Sequence, residues 1–572
     1  MHRANHPFDS VFMLVHGRVK QSLIDGQGNV IFQRYQTSGG QMGAMAAALG
    51  EPSPVNMVAE EPTTLLKLNH QKAIELTRQH EVFRANFSRL IADSVRNLLL
   101  KDRHHKKPAL VVVFHESPAT RPLTRQLINR LKTLGENPCV LNDQTDWQPM
   151  EDVPYCCLVQ DGVAMVEQDV REQVHLWSDS NRIFIDASSA YDPARASNLV
   201  EVSDKVLWCV TPENWKASVY RLNAIEERAP GWRDKINIVW LLDDGSQWAP
   251  LAPELKKLAK RDYKISFDAP RANQNRALLN GIERIVHQLR GVRIGVALGG
   301  GAARGMAHLG VLKVLEQNGI IVDMIAGTSA GAMAGILYAS GLDADYTAQR
   351  FVEDLTPSWF FRHIPRGGHW YLLYKYRRGQ FDPMLRKYLH ESQLQQLPIP
   401  VHAITVDLVS GRPIVRTRGD AVHAITESIN LPVLSAPINR DGMALVDGGI
   451  VNNVPADVLV SKGCNFIIAV SVTAKMEQVF ASNDPSMSTA NMKSASTLQT
   501  ILRTYVVQNV NMNSVGVQPA DFVIEPDVTE FDITEFMRTD EISEIGARCT
   551  EDSVPELMKM LEQVDRQLFA TG

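Results

Sequence analysis

Residues 319–341 read GIIVDMIAGTSAGAMAGILYASG, an apolar run that ends in Gly327-Thr328-Ser329-Ala330-Gly331 and passes straight into Ala, Met, Ile and Leu. The five residues fit G-x-S-x-G, the sharp strand-to-helix turn that lifts a serine hydroxyl clear of a sheet. Gly327 and Gly331 permit the strained backbone and close packing of such a turn. This feature narrows the fold to an α/β layer in which a strand delivers the serine to its carboxyl edge. A serine that merely caps a helix fits the same five residues. The chemistry therefore depends on what else the chain brings to that edge.

Just upstream, VALGGGAARGMAHLGVLKVLEQNG (296–319) reads as an apolar strand, a glycine loop and an amphipathic helix. Amides at such a loop favour negative charge. A dinucleotide frame starting at Gly299 meets Arg304 in its sixth position, and one starting at Gly300 meets Ala302 in its third. A phosphate-binding frame from Gly300 to Gly305 puts Met306 and Ala307 where Lys and Ser or Thr are required, so it fails. An oxyanion hole and a ligand-free tight turn remain. In a parallel sheet this loop and Ser329 lie side by side at one edge.

A serine hydroxyl needs a base. The order Ser, Asp, His of one large hydrolase class is excluded, because no histidine follows His423 and an aspartate in LVDGG would have no downstream partner. His363, His369, His390, His402 and His423 sit in no motif and read as surface or core residues. The candidate base is Asp447 in MALVDGGIVNNVP, where Gly448 and Gly449 leave the space beside the carboxylate open. A plain β-turn is the competing reading of Asp-Gly.

At 572 residues the chain exceeds one hydrophobic core and is expected to hold several domains. Residues 1–101 alternate short strands and turns and then switch to a helical period, which predicts a small β-barrel-like module with a helix. Residues 108–289 carry the buried-strand runs ALVVVF, RIFIDA, KVLWCV and INIVWLL, which predict a Rossmann-like α/β domain of unassigned role. Residues 291–572 hold all the chemical signals. A net charge of -5 with 22% charged residues gives no reason to expect nucleic acid. The six cysteines have no C-x-x-C spacing, so no metal site and no disulfide framework is expected, and reduced thiols are. No secretory signal or spanning run is read, so the expected location is the cytoplasm, with any membrane contact peripheral to its inner face.

Taken together, Gly299–Gly305, Gly327–Gly331 and Asp447–Gly449 resemble the patatin-like phospholipase family over about Gly295 to Gly463. The resemblance implies a three-layer α/β/α domain and a Ser–Asp dyad without metal or cofactor. Ser329 would be the nucleophile and Asp447 the general base. The amides around Gly300, Gly301 and Ala302 would form the oxyanion hole, with Arg304 beginning the next helix and Gly305, Gly331, Gly448 and Gly449 completing the motifs. Ala302 stands where relatives often have glycine, with little loss expected. The implied substrate is a phospholipid or lysophospholipid; a catalytically silent lipid-binding scaffold is the alternative. The N-terminal order of modules resembles the neuropathy-target-esterase branch, whose regulatory modules are similar to cyclic-nucleotide-binding domains. Here Ala44 follows Gly43, and Ser53-Pro54 stands where relatives place an arginine on the phosphate. The module is therefore read as degenerate, lacking its beginning, and cyclic nucleotide is not an expected ligand. The oligomeric state is not readable from the sequence.

Residues 357–378 interleave Trp359, Phe360, Phe361, Trp370, Tyr371 and Tyr374 with Arg362, Arg366, Lys375, Arg377 and Arg378 and carry no acid. The stretch is expected to be either a membrane-facing lid or core aromatics with a solvated cationic rim.

Overall fold

The computed structural model describes residues 108–570 except 145–146, 161–162, 165–166, 229–231, 243–247, 269–275, 433–434, 474–496 and most of 358–373. Before residue 108 it describes strands and the helix His70–Gln79, with isolated further residues out to Phe87. Two compact units result: Met1–Leu241 with Ala252–Tyr263, and Leu242–Leu251 with Lys264–Gly572.

In the first unit, β1 (Ser10–His16), β4 (Gln41–Met42) and β6 (Thr64–Asn69) form one three-stranded sheet. A second joins β2 (Val19–Ile24), β3 (Val30–Gln36) and β5 (Asn56–Ala59). Leu14, Val19, Met42 and Met57 pack as one apolar cluster. The helix His70–Gln79 follows, its first turn capped by the Asn69 side chain on the Gln71 amide. Ser53 is buried and its hydroxyl accepts the Val55 amide at 3.4 Å, so that position brings no charge.

The four apolar runs of the middle segment are strands, as their length and continuity require. With their neighbours they order as β15-β14-β13-β7-β12-β8-β9, where β7 is Ala109–His115, β8 Pro138–Asn142, β9 Tyr155–Cys157, β12 Arg182–Ser188, β13 Lys205–Val210, β14 Ile236–Leu241 and β15 Arg261–Ile265. The short pair β10 (Val159–Gln160) and β11 (Val163–Ala164) stands apart. Strands β7, β8, β9, β12, β13 and β14 run parallel, and helices connect most of them.

The second unit holds the sheet β20-β21-β18-β17-β16-β22-β23, with β19 also paired to β18. Its strands are β16 (Ile294–Leu298), β17 (Met324–Thr328), β18 (Val401–Asp407), β19 (Arg412–Arg416), β20 (Ile438–Arg440), β21 (Met443–Asp447), β22 (Phe466–Val470) and β23 (Phe522–Ile524). Alternate residues of one strand enter opposite cores. Val296, Leu298, Ile325, Ile468 and Val470 pack with the helices Ala307–Gln317 and Ala330–Ala339, whereas Ala297, Met324, Ala326, Ile467 and Ala469 pack with Val458 and Leu459 of the helix Ala456–Ser461. The period of two that puts both faces of a strand under helices makes this a three-layer α/β domain.

The helix Asn280–Arg290 belongs to this unit. His287 Nδ1 lies 2.8 Å from the Asp323 carboxylate, and Arg290 pairs with Asp565 at 2.6 Å. Helical periodicity shows that one face is buried but not which sheet buries it. Among the described residues no helix is long and apolar enough to cross a membrane.

Candidate active site

Strand pairing brings Ser329 and Asp447 together. Ala403 and Ile404 of β18 pair with Gly327 and Thr328 of β17, while Thr405, Val406 and Asp407 pair with Asp447, Val446 and Leu445 of β21. Residues 403–407 also pair with Arg416 to Arg412 of β19 throughout. A strand has two edges, and β19 holds one of them. Hence β17 and the antiparallel β21 share the other, meeting end to end between Ile404 and Thr405. Thr328 and Asp447 thus face residues one step apart, about 3.3 Å along a strand. Ser329 leaves β17 at that junction.

The backbone explains the motif glycines. Ser329 has φ 54° and ψ −123°, the strained elbow between β17 and the helix Ala330–Ala339. A Cβ built on Gly327 would lie 2.5 Å from the Gly331 carbonyl oxygen, and one on Gly331 only 2.1 Å from that of Leu298. On Gly305 it would lie 2.4 Å from the Ala330 Cβ, and on Gly448 2.4 Å from the Ile404 oxygen. At Gly327, Gly331 and Gly448 the close neighbour is another stretch of backbone, and at Gly305 it is the Ala330 methyl. Asp447 is wholly buried, and its Oδ1 accepts the Gly449 amide at 2.8 Å. Ser329 is 7% exposed.

The glycine loop stands against the elbow: a Cβ on Gly300 would lie 3.1 Å from the Ser329 Cβ. Three amides were expected to face the site. That of Gly300 donates to the Asn453 carbonyl at 3.2 Å. The motif cannot show this, because the acceptor lies some 150 residues downstream, as the span of the Asn453 to Gly300 side-chain bond records. Ala302 has φ 52°, the left-handed region, which is the physical reason that a glycine suits this position. Arg304 lies in a 3-10 turn, Ala302–Met306, and the α-helix proper starts at Ala307.

Several supports carry no motif of their own. His308 Nε2 donates to the Gly299 carbonyl at 2.7 Å; burial pushes this imidazole down to about 4, so it is neutral. Arg304 Nε donates to the Phe531 carbonyl at 2.7 Å, and the Ala303 amide to that of Ile533 at 3.1 Å. Asn453 Nδ2 bonds Asn513 Oδ1 at 2.6 Å behind the loop. Tyr376 Oη donates to the Ile429 carbonyl at 2.6 Å and accepts the Leu431 amide at 2.8 Å. Its phenol is pushed up, by burial first and with the Asp447 charge adding to it. Among the described residues no cluster of three or more His, Cys, Asp or Glu could hold a metal. Of the aromatic and basic stretch, Trp359, Phe360, Phe361, Arg362, Arg366 and Trp370 lie outside the described residues.

The family model for patatin-like phospholipase matches residues 296–460, and that for the cyclic nucleotide-binding domain matches residues 1–80. An uncharacterized NTE family protein of Mycobacterium tuberculosis is 27% identical over 298 residues, 49% of this chain and 50% of that protein. Lysophospholipase NTE1 of Mycosarcoma maydis is 36% identical over 193 residues, 33% of this chain and 10% of that protein. Patatin-like phospholipase domain-containing protein 6 of Mus musculus is 31% identical over 207 residues, 36% of this chain and 15% of that protein. The matches span half the length of the mycobacterial relative and less of the other two.

Proposed function

We propose, for a chain whose residues 296–460 are a patatin-like phospholipase domain, that it hydrolyses fatty acyl esters of phospholipids or lysophospholipids with Ser329 as nucleophile and Asp447 as general base. The observation that carries this reading is the end-to-end meeting of β17 and β21 on one edge of β18. It supports direct proton transfer between hydroxyl and carboxylate, with no imidazole between them.

Asp447 accepts the Ser329 proton as Oγ attacks the ester carbonyl carbon. The amides of Gly301 and Ala302 stabilise the tetrahedral oxyanion; one such donor typically contributes about a hundredfold in turnover. Collapse breaks the ester C–O bond, and the proton held by Asp447 goes to the departing alcohol. Water then attacks the acyl-enzyme and gives its proton to Asp447; collapse breaks the acyl bond to Ser329 Oγ, which takes that proton back from Asp447, releasing the fatty acid and restoring the serine and the carboxylate.

Two further elements belong to this reading. The cyclic nucleotide-binding module acts as a packing or regulatory domain without a bound nucleotide, since Ala44 and Ser53 supply no charge partner for a phosphate. Residues 357–378 meet the lipid surface, and Trp359→Ala with Phe360→Ala weakens liposome binding while sparing a soluble ester. The central test is covalent labelling by a fluorophosphonate together with product analysis on lysophosphatidylcholine. Labelling and fatty acid release are both lost in Ser329→Ala; labelling that survives the substitution, or a wild type that releases no fatty acid, leaves a silent lipid-binding scaffold as the better description.

A further inference from the structure

We propose that Ser428 is a positioning residue for the Ser329 elbow, its hydroxyl splicing the sheet where β17 stops and β21 begins. This rests on the hydrolase reading above. Once the chain turns into the helix Ala330–Ala339, the Ser329 amide has left the ladder that ended at Thr328 opposite Ile404. Ser428 Oγ accepts that amide at 2.8 Å and donates to the Ile404 carbonyl at 2.5 Å. A hydroxyl supplies one donor and accepting lone pairs in a single atom, as this position requires. Ser428 is wholly buried, so no water stands ready to replace it.

The same stretch of chain holds the other half of the site. Two residues on, the Asn430 carbonyl accepts the Asp447 amide at 2.8 Å, and Asn430 Nδ2 donates to the Leu445 carbonyl at 2.9 Å. Thr405 Oγ1 donates to the Val446 carbonyl at 2.6 Å and lies 3.3 Å from that of Glu427. Residues 427–430 therefore grip the backbone on both sides of the break, with Ser428 on the nucleophile side and Asn430 on the base side. The gap itself is tight, because Gly448 passes so close to Ile404 that a Cβ there would lie 2.4 Å from its carbonyl oxygen.

Ser329 stays in its strained backbone only while its surroundings over-determine it. Remove the Ser428 hydroxyl and both the Ser329 amide and the Ile404 carbonyl lose a buried partner; the cheapest relief is rotation of the elbow, which moves Oγ away from Asp447. The Ser329 amide, being spent on Ser428, is no oxyanion donor, and Ser428 does not touch substrate. Its removal should therefore act on kcat and leave KM near its wild-type value.

The test compares the full-length wild type with Ser428→Ala, Ser428→Cys and Ser329→Ala, measuring p-nitrophenyl butyrate hydrolysis, fluorophosphonate labelling rate and Tm. A displacement of about an ångström in a reacting group costs up to about a hundredfold in rate. The expected result for Ser428→Ala is a ten- to hundredfold fall, in order of magnitude, in kcat and labelling rate with KM within about threefold. Ser428→Cys keeps the shape but offers weaker hydrogen bonds, so it should also fall, and it decides the matter if Ser428→Ala does not fold. Silence of Ser329→Ala with wild-type kcat and labelling in the folded Ser428 variants overturns the splice alone. Full activity in Ser329→Ala overturns the hydrolase reading and the splice with it.

Discussion

Acid should loosen the glycine loop through one buried imidazole. His308 Nε2 donates to the Gly299 carbonyl at 2.7 Å, the residue is fully buried, and burial pushes its pKa down to about 4. In an unfolded chain the same group titrates near 6.5. Above about 6.5 both states are neutral, and the stability conferred by the neutral buried ring is complete. As pH falls, the unfolded chain binds a proton that the folded one resists, so that stability drains away until the folded group itself titrates near 4. At about 1.4 kcal/mol per pH unit, the loss is about 2 kcal/mol at pH 5 and about 3 kcal/mol at pH 4. His308→Gln places an amide donor near the old Nε2 and cannot titrate. Hydrogen exchange of peptides covering 294–317, the strand, loop and helix concerned, reads the local opening free energy. Between pH 7 and pH 5 the wild type should lose about 2 kcal/mol more than His308→Gln. Intrinsic exchange rates and the other titrating groups cancel in that difference. Equal losses in the two proteins would show that His308 is charged, or exposed, in the folded state.

Asp447→Asn should lower kcat by about a hundred- to ten-thousandfold while leaving Tm near wild type, since the amide keeps the shape but cannot take the proton; a loss under tenfold in an ester hydrolysis assay would remove Asp447 from the mechanism. Gly331→Ala puts a Cβ 2.1 Å from the Leu298 carbonyl oxygen and should cost about 2 kcal/mol or more together with fluorophosphonate labelling; thermal unfolding and labelling read both, and an unchanged Tm would contradict the packing. Ala302→Gly relieves about 1–2 kcal/mol of left-handed strain and returns about 0.4–1 kcal/mol to the unfolded chain, so Tm should hold or rise slightly with activity retained. A drop in Tm would mean that the Ala302 methyl is worth more to packing than its backbone strain costs.

What could be read in advance follows the range of the interactions. The elbow at Ser329, the glycine loop and the Asp447 turn are local: each is a backbone conformation or a backbone contact that only certain residues allow, and they stand in the sequence as G-x-S-x-G, GGGAARG and DGG. The apolar runs of the middle segment announced strands because burial on both faces leaves no room for polar alternation. Ser428, Asn430, His308 and Asn453 were missed for the opposite reason. Each acts through hydrogen bonds to backbone groups set by the fold, and neither its neighbours nor its spacing reports those partners. The occupation of the Gly300 amide has the same origin, a carbonyl at Asn453 that only the sheet brings near.

These long-range supports are a condition of the site. Ser329 and Ala302 both hold left-handed backbone, at φ 54° and φ 52°, and such residues cost about 1–3 kcal/mol each unless the surrounding structure forbids relaxation. Relaxation is blocked from several sides: at the elbow by Gly327 and Gly331, which leave no space to turn into, and by Ser428, which binds its amide. At the loop it is blocked by His308 on the Gly299 carbonyl, Asn453 on the Gly300 amide, and the Phe531 and Ile533 carbonyls on Arg304 and Ala303. The last two come from beyond residue 463, where the motif resemblance ends. A fragment cut there would keep Ser329, Asp447 and all the motif glycines, yet lose the carbonyls that hold the glycine loop in its strained turn. Motifs therefore mark the turns themselves, while the residues that hold those turns in place are spread along the second unit, from His308 to Ile533.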